Sequence, residues 1–82
     1  MERCKAIEII QKEELINYNM FEKRNNKENE VVILKKYGKW IVYVTDERAS
    51  KITNSVDEYT TESEALDDFI DRLRADKILR EL

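Results

Sequence analysis

A two-stranded hairpin is the feature that most constrains the fold of this chain. Two runs rich in β-branched and aromatic residues, Glu30 to Lys36 and Lys39 to Thr45, are separated only by Tyr37 and Gly38. Residues of this kind favour strands, and glycine allows the positive φ that a two-residue hairpin turn requires. The sequence therefore predicts an antiparallel hairpin that turns at Tyr37-Gly38.

The predicted hairpin is apolar on both faces. A two-residue turn places three cross-strand pairs on one side: Ile33 with Val42, Val31 with Val44, and Lys35 with Trp40. Four apolar residues then lie on the other side: Val32, Leu34, Ile41 and Tyr43. A sheet with one solvated face would alternate apolar and polar residues instead. We therefore expect either a helix on each face or a partner on one of them.

Two further segments predict strands that flank the hairpin in the sequence. Tyr18 to Arg24 forms the first, with Met20 and Phe21 on opposite faces. Ile52 to Tyr59 forms the second, although Asn54-Ser55 weakens it. Together with the hairpin they predict a small antiparallel sheet of three to four strands.

The N-terminal segment, from Glu2 to about Ile16, has the pattern of an amphipathic helix. Its apolar stripe is formed by Ala6, Ile7 and Ile10. Because Leu15 and Ile16 lie off that stripe, we expect the helix to end or bend near Lys12.

The C-terminal helix has a marked start. Thr61 is a good N-cap and Glu64 follows three residues later, so each side chain can satisfy a free backbone N–H of the other residue. The apolar stripe is formed by Leu66, Phe69, Ile70 and Leu73. Beyond Leu73 the stripe fails, and the pattern leaves open whether the tail is helical. We predict one α+β domain, residues 1–82, because a chain this short buries one core. In chain order, one helix precedes the strands and one follows them.

The composition argues against catalysis. The chain has no histidine, one cysteine (Cys4) and one glycine. It therefore lacks the usual general base near neutral pH, the ligands for a zinc site and a glycine-rich phosphate loop. We expect no enzyme activity, no cofactor and no metal. The single cysteine and the lack of a long apolar run favour a cytoplasmic protein that acts by binding and has no membrane partner.

Acidic residues cluster before and along the C-terminal helix. The formal charge of the chain is −3. Seven acidic residues occur without a basic one among them: Asp57, Glu58, Glu62, Glu64, Asp67, Asp68 and Asp71. They are the solvated face that an amphipathic helix needs, or a contact surface for a basic partner. A metal or catalytic site at Asp67, Asp68 and Asp71 is the less favoured interpretation. The patch would repel nucleic acid.

A charged segment follows the hairpin. Asp46, Glu47 and Arg48 form either a polar loop with a weak internal ion pair or, through Arg48 beside Trp40 and Tyr43, an arginine-aromatic cluster typical of protein interfaces. The candidate partner-binding residues are Trp40, Tyr43, Asp46, Glu47, Arg48, Glu64, Asp67, Asp68 and Asp71.

Two segments, Trp40 to Arg48 and Glu62 to Ile70, resemble bacterial immunity proteins of polymorphic toxin systems, in immunity protein family fifty-nine. The resemblance runs from about Leu15 to Arg74 and includes Asn17-Tyr18 and Phe21-Glu22. It implies a cytosolic protein that binds a cognate toxin and blocks its active site or an essential surface. The acidic patch favours, weakly, a toxin with a basic nuclease domain.

Other functions remain open at this stage. The second apolar face of the hairpin could be buried in a homodimer, which would make the chain a structural or homo-oligomeric module. A regulatory nucleic-acid binder is disfavoured because the basic residues do not gather into one stripe. A hydrolase that uses carboxylates alone is the least favoured class.

Overall fold

The computed structural model describes all 82 residues and confirms the α+β class. Its elements, in chain order, are α1 (Arg3–Lys12), β1 (Tyr18–Met20), β2 (Val31–Lys36), β3 (Lys39–Val44), a short 3-10 turn (Thr53–Ser55), β4 (Asp57–Tyr59) and α2 (Glu62–Arg80). Helix α1 ends at Lys12, before Leu15 and Ile16, as predicted. Helix α2 continues well past Leu73, which settles the state of the tail.

The sheet is mixed, so the prediction of a purely antiparallel sheet is wrong. Its order is β1-β2-β3-β4, with β1 parallel to β2 and the other two pairs antiparallel. The predicted first strand is also shorter, because Phe21 has a φ of 61° and turns the chain out of the sheet. The segment from Phe21 to Glu30 then brings the chain back to the end where β1 began, so β2 runs in the same direction.

The hairpin has the predicted register. Ile33 pairs with Val42, and the turn residues Tyr37 and Gly38 have φ values of 53° and 77°. Positive φ at both central residues defines a type I′ turn. A Cβ built on Gly38 would meet nothing within 4 Å, so the backbone conformation, rather than lack of space, requires glycine there.

Both helices pack on the same face of the sheet. The core between them and the sheet consists of Ala6, Ile10, Leu15, Val31, Ile33, Val42, Ala65, Leu66, Phe69, Ile70 and Leu73. The second face has neither a helix nor complete exposure. Val32 and Tyr43 are buried there, and the Asn26 side chain donates to the Tyr43 hydroxyl at 2.7 Å. Asn26, in the β1–β2 connection, thus covers Tyr43 on the second face, and Leu34 and Ile41 are half-buried there.

The fourth strand is shorter than predicted because Ser55 makes hydrogen bonds that a strand would not. Its hydroxyl accepts from the Val44 N–H at 3.0 Å and donates to the Ile52 carbonyl at 2.6 Å. The N-cap of α2 is confirmed, since Thr61 Oγ1 accepts from the Glu64 N–H at 3.2 Å. The Glu64 carboxylate accepts from the Thr61 hydroxyl at 2.9 Å. The expected hydrogen bond from the Thr61 backbone N–H to Glu64 is not formed.

Candidate functional site

One end of the sheet carries a groove of about 810 Å³. At this end β1 and β2 begin and β3 ends, and we call it the groove end. The groove is lined by Leu15, Ile16, Asn17, Tyr18, Arg24, Lys27, Glu28, Glu30, Glu47, Arg48 and Ala49. Two of the predicted partner-binding residues, Glu47 and Arg48, therefore line this groove.

A buried ion pair forms one wall of the groove. Glu30 is only 2% exposed, and its two carboxylate oxygens accept from Arg24 Nη2 at 2.9 Å and Nη1 at 3.0 Å. Arg24 also donates to a Glu22 oxygen at 2.7 Å and to the Tyr18 carbonyl at 3.1 Å. Burial alone would raise the pKa of Glu30, but hydrogen bonds from Arg24 and the Lys27 N–H outweigh it and hold that pKa below its ordinary value.

Thr45 ties this wall to the sheet. Its hydroxyl accepts from the Glu30 N–H at 2.9 Å and donates to the Lys27 carbonyl at 2.7 Å. The Thr45 N–H in turn donates to the Glu30 carbonyl at 2.9 Å. The irregular segment before β2 is therefore fixed against the end of β3 by hydrogen bonds from both backbone and side chain.

Asp46 shapes the segment after β3 that also lines the groove. Its Oδ1 accepts from the Arg48 N–H at 2.8 Å and the Ser50 N–H at 3.0 Å, which closes a tight turn. Glu47 and Arg48 are exposed on this turn and form no ion pair within the chain. Asp46 is thus a structural residue of the turn, while Glu47 and Arg48 keep their charges free.

Left-handed backbone is concentrated at the groove end. Six non-glycine residues have positive φ, and four of them lie in or beside the groove: Glu14 (54°), Asn17 (65°), Asn29 (51°) and Ala49 (63°). Asparagine tolerates this conformation, but glutamate and alanine pay for it in steric strain. Such strain persists only where surrounding contacts hold the backbone, and it is common at binding sites.

Exposed apolar side chains accompany the groove. Ile16 lines it and is 49% exposed. Leu79, which is 69% exposed, borders a second cavity of about 300 Å³ between α2 and the ends of β2 and β3. Glu30 lines both cavities. The groove end therefore combines shape, free charge and exposed apolar surface.

The acidic face of α2 differs from the groove end, because most of its carboxylates form ion pairs within the chain. Asp68 accepts from the Tyr59 hydroxyl at 2.7 Å and from Arg72 Nε at 3.0 Å, and Arg72 also pairs with Asp57 at 2.7 Å. Burial and the Asp68 contact raise the pKa of Tyr59 to about 12. Of the seven acidic residues, only Glu64 and Asp71 have no basic partner.

The remaining contacts on this face follow the same pattern. They are Arg3 with Glu62, Lys39 with Glu58 at 3.6 Å, the Met1 amino group with Asp67 at 2.8 Å, and the Thr61 cap with Glu64. The basic partners come from distant positions, so the run of acidic residues in the sequence overstates the free charge. No group of three or more His, Cys, Asp or Glu side chains is arranged to hold a metal ion.

The structure does not bring Arg48 together with the predicted aromatic pair. Trp40 and Tyr43 lie on opposite faces of β3, because their separation of three residues is odd. Trp40 is half-buried near the turn of the hairpin, whereas Arg48 lies at the groove end beyond the other end of β3. Tyr43 is buried under Asn26.

Sequence reasoning missed a basic surface at the turn, which we call the hairpin tip: Lys35, Lys36, Tyr37, Lys39 and Trp40. Tyr37 is 92% exposed. The ammonium of Lys36 lies 5.4 Å from the ring centroid of Tyr37, and that of Lys35 lies 4.6 Å from that of Trp40. The signal in the sequence is a tyrosine before glycine, where a type I′ turn favours asparagine.

The family model described as Immunity protein 59 matches residues 3–81. No curated protein and no solved structure matches the chain. Neither helix has the length and apolar character needed to cross a membrane.

Proposed function

The chain belongs to the immunity protein 59 family, and on that premise we propose that it neutralises a cognate toxin in the bacterial cytoplasm by binding it and covering a surface that the toxin needs. Protection then follows from occupancy and involves no turnover. The absence of histidine and of paired thiols from the sequence supports this mechanism.

The groove end is the proposed toxin-binding surface. The observation that carries this choice is the exposure of Ile16 beside a groove whose walls are held in place by Glu30, Thr45 and Asp46. A rigid wall lowers the entropy that binding would otherwise lose, and exposed apolar side chains supply contact area. Arg48 and Glu47 provide free charges at the rim.

The acidic face of α2 takes a smaller part in this proposal. Glu64, Asp67 and Asp68 already have partners within the chain, so a basic toxin surface would have to compete with them. Asp71 is the acidic residue best placed to contact a partner without disturbing the fold.

The first step of the test is to look immediately upstream of the gene for a large secreted protein with a C-terminal toxin domain, and that domain then serves as the candidate toxin. We expect the wild-type chain to bind this domain and to restore growth when the two are co-expressed. Ile16→Glu should weaken binding about tenfold or more, because it places a charge in the apolar part of the interface.

Ile7→Glu is the matched control. Ile7 is 42% exposed, close to the value for Ile16, but it lies on α1 outside both cavities. The Ile7 variant should bind as the wild type does. If the Ile16 variant binds as tightly as the wild type, the groove end is not part of the interface. If the wild-type chain neither binds nor protects, the proposed function itself is wrong.

A homo-oligomer through the second hairpin face is the alternative proposal. Its surface would be limited to Leu34 and Ile41, since Tyr43 is already covered by Asn26. Sedimentation at several concentrations distinguishes the two proposals, because a monomer at every concentration leaves no role for self-association.

A further inference from the structure

The tip of the β2–β3 hairpin carries an aromatic side chain that the fold does not use. Tyr37 is 92% exposed and donates no hydrogen bond within the chain. Its φ of 53° is left-handed, a conformation that crowds the Cβ of any residue other than glycine. Asparagine would suit the same turn at lower strain. The fold therefore tolerates strain at Tyr37 without gaining any packing from the ring.

The surroundings of Tyr37 are uniformly basic. Lys35, Lys36 and Lys39 flank the turn, and the chain has no acidic residue between Glu30 and Asp46. Lys39 approaches Glu58 at 3.6 Å, but both side chains are more than half exposed, so the pair is weak. Lys35 and Lys36 have no carboxylate partner and face aromatic rings instead.

We propose that the hairpin tip inserts into a concave, carboxylate-lined site on the toxin. In this complex Tyr37 is the aromatic anchor, and Lys35 and Lys36 pair with carboxylates of the toxin. The inference rests on the proposed function and specifies the chemistry of the partner. A two-residue turn is narrow and convex, so it fits a cleft, and an aromatic residue at the centre of a charged rim is a typical centre of binding energy.

Nucleic acid is a poorer fit for the same surface. The tip has three lysines and no arginine, and the whole chain has a formal charge of −3. A nucleic-acid-binding module of this size needs a basic surface that extends along the phosphate backbone. Here the basic surface ends within one turn of the hairpin, which matches a small cluster of carboxylates.

The experiment measures binding of the upstream-encoded toxin domain to two tip variants. Tyr37→Asn removes the ring and suits the type I′ turn, so the variant should fold at least as well as the wild type. We expect its Kd to rise about tenfold or more. Lys36→Glu should slow association and reduce its dependence on salt, because it removes a charge that steers the encounter.

Lys23→Glu is the control for Lys36→Glu, since it changes the net charge equally at an exposed position outside the tip. It should leave the Kd within about twofold, as most exposed substitutions away from an interface do. If the wild type binds the toxin and both tip variants bind equally well, the tip inference is wrong while the proposed function stands. If the wild type does not bind, the proposed function fails first.

An oligonucleotide provides the remaining arm of the experiment. The inference would be overturned if the tip variants bound a DNA or RNA oligonucleotide more weakly than the wild type but bound the toxin equally well. The tip would then be a nucleic-acid-binding surface. No tip-dependent oligonucleotide binding is expected.

Discussion

The groove end and the hairpin tip lie at opposite ends of the same two strands, and they hold their unusual backbone in opposite ways. At the groove end, Ala49 has a φ of 63° in a turn that the Asp46 carboxylate closes. At the tip, Tyr37 has a φ of 53° and only the two-residue turn holds it there. The strained backbone at the groove end thus accompanies hydrogen bonds that stabilise the wall. The strained backbone at the tip accompanies no stabilising contact of the Tyr37 side chain.

The two ends also differ in what happens to their charges. At the groove end Arg24 and Glu30 neutralise each other inside the wall, as Asp68 and Arg72 do on the acidic face of α2. At the tip Lys36 has no carboxylate partner. Charge that a chain uses internally stabilises its fold, and charge that it leaves free is available to a partner. The following predictions test this difference, in decreasing order of effect.

Arg24→Met should have the largest effect, because it leaves the Glu30 carboxylate buried without its cation. We expect this variant to lower the free energy of unfolding more than any of the variants below, because the carboxylate that it leaves unpaired is itself buried. Urea unfolding followed by the fluorescence of Trp40, the single tryptophan, measures this loss. Lys23→Met, at the exposed neighbouring position, should change stability by less than about 0.5 kcal/mol. Equal stability of the two variants would show that the groove wall does not depend on the pair.

Glu30→Gln tests the same wall through pH. At neutral pH the variant should lose about 2 kcal/mol, because an amide replaces a charged acceptor of several hydrogen bonds. The folded state lowers the pKa of Glu30 below 4.5, so its contribution is complete above that pH and is lost as the pH falls through the folded pKa. Stability curves of the wild type and the variant should therefore converge below about pH 4.5. Parallel curves across this range would contradict the assignment.

Asp68→Asn and Asp71→Asn compare a carboxylate that is paired within the chain with an unpaired one on the same helix. Asp68 binds Tyr59 and Arg72, so its substitution should reduce stability by about 1 kcal/mol. Asp71 has no such partner, and its substitution should change stability by less than about 0.5 kcal/mol. Thermal unfolding of both variants provides the measurement. A larger loss for Asp71 would mean that the acidic face is not organised as described.

Ala49→Gly should give the smallest change, and it should be a gain. Glycine relieves about 1 kcal/mol of left-handed strain, but it loses about 0.5 kcal/mol to the greater freedom of the unfolded chain. We expect a net stabilisation of about 0.5 kcal/mol by urea unfolding, and a change of the same sign for Tyr37→Asn. A destabilised Ala49 variant would show that the methyl group contributes packing that outweighs the strain.

Much of the fold could be predicted because its signals are local. The Tyr37-Gly38 turn, the pairing of Ile33 with Val42 and the Thr61 cap each depend on residues close in the sequence. The direction of β1 and the partial cover on the second face could not be predicted, since both follow from how the Phe21 to Glu30 segment crosses the sheet. The sequence also singled out Glu47 and Arg48, which line the groove, but it did not reveal the exposure of Tyr37, and it overstated the free charge of the acidic face.

The sequence by itself determined the class of the fold, the register of the hairpin and a chemistry without imidazole, paired thiols or a glycine-rich loop. The tertiary structure alone decided which charges are neutralised and which surfaces are free. Arg72 reaches Asp57, and Arg3 reaches Glu62, across distances in sequence that no local pattern encodes. The physical reason is that secondary structure depends on neighbours a few residues apart, whereas the availability of a charge depends on every group that folding brings within hydrogen-bonding distance.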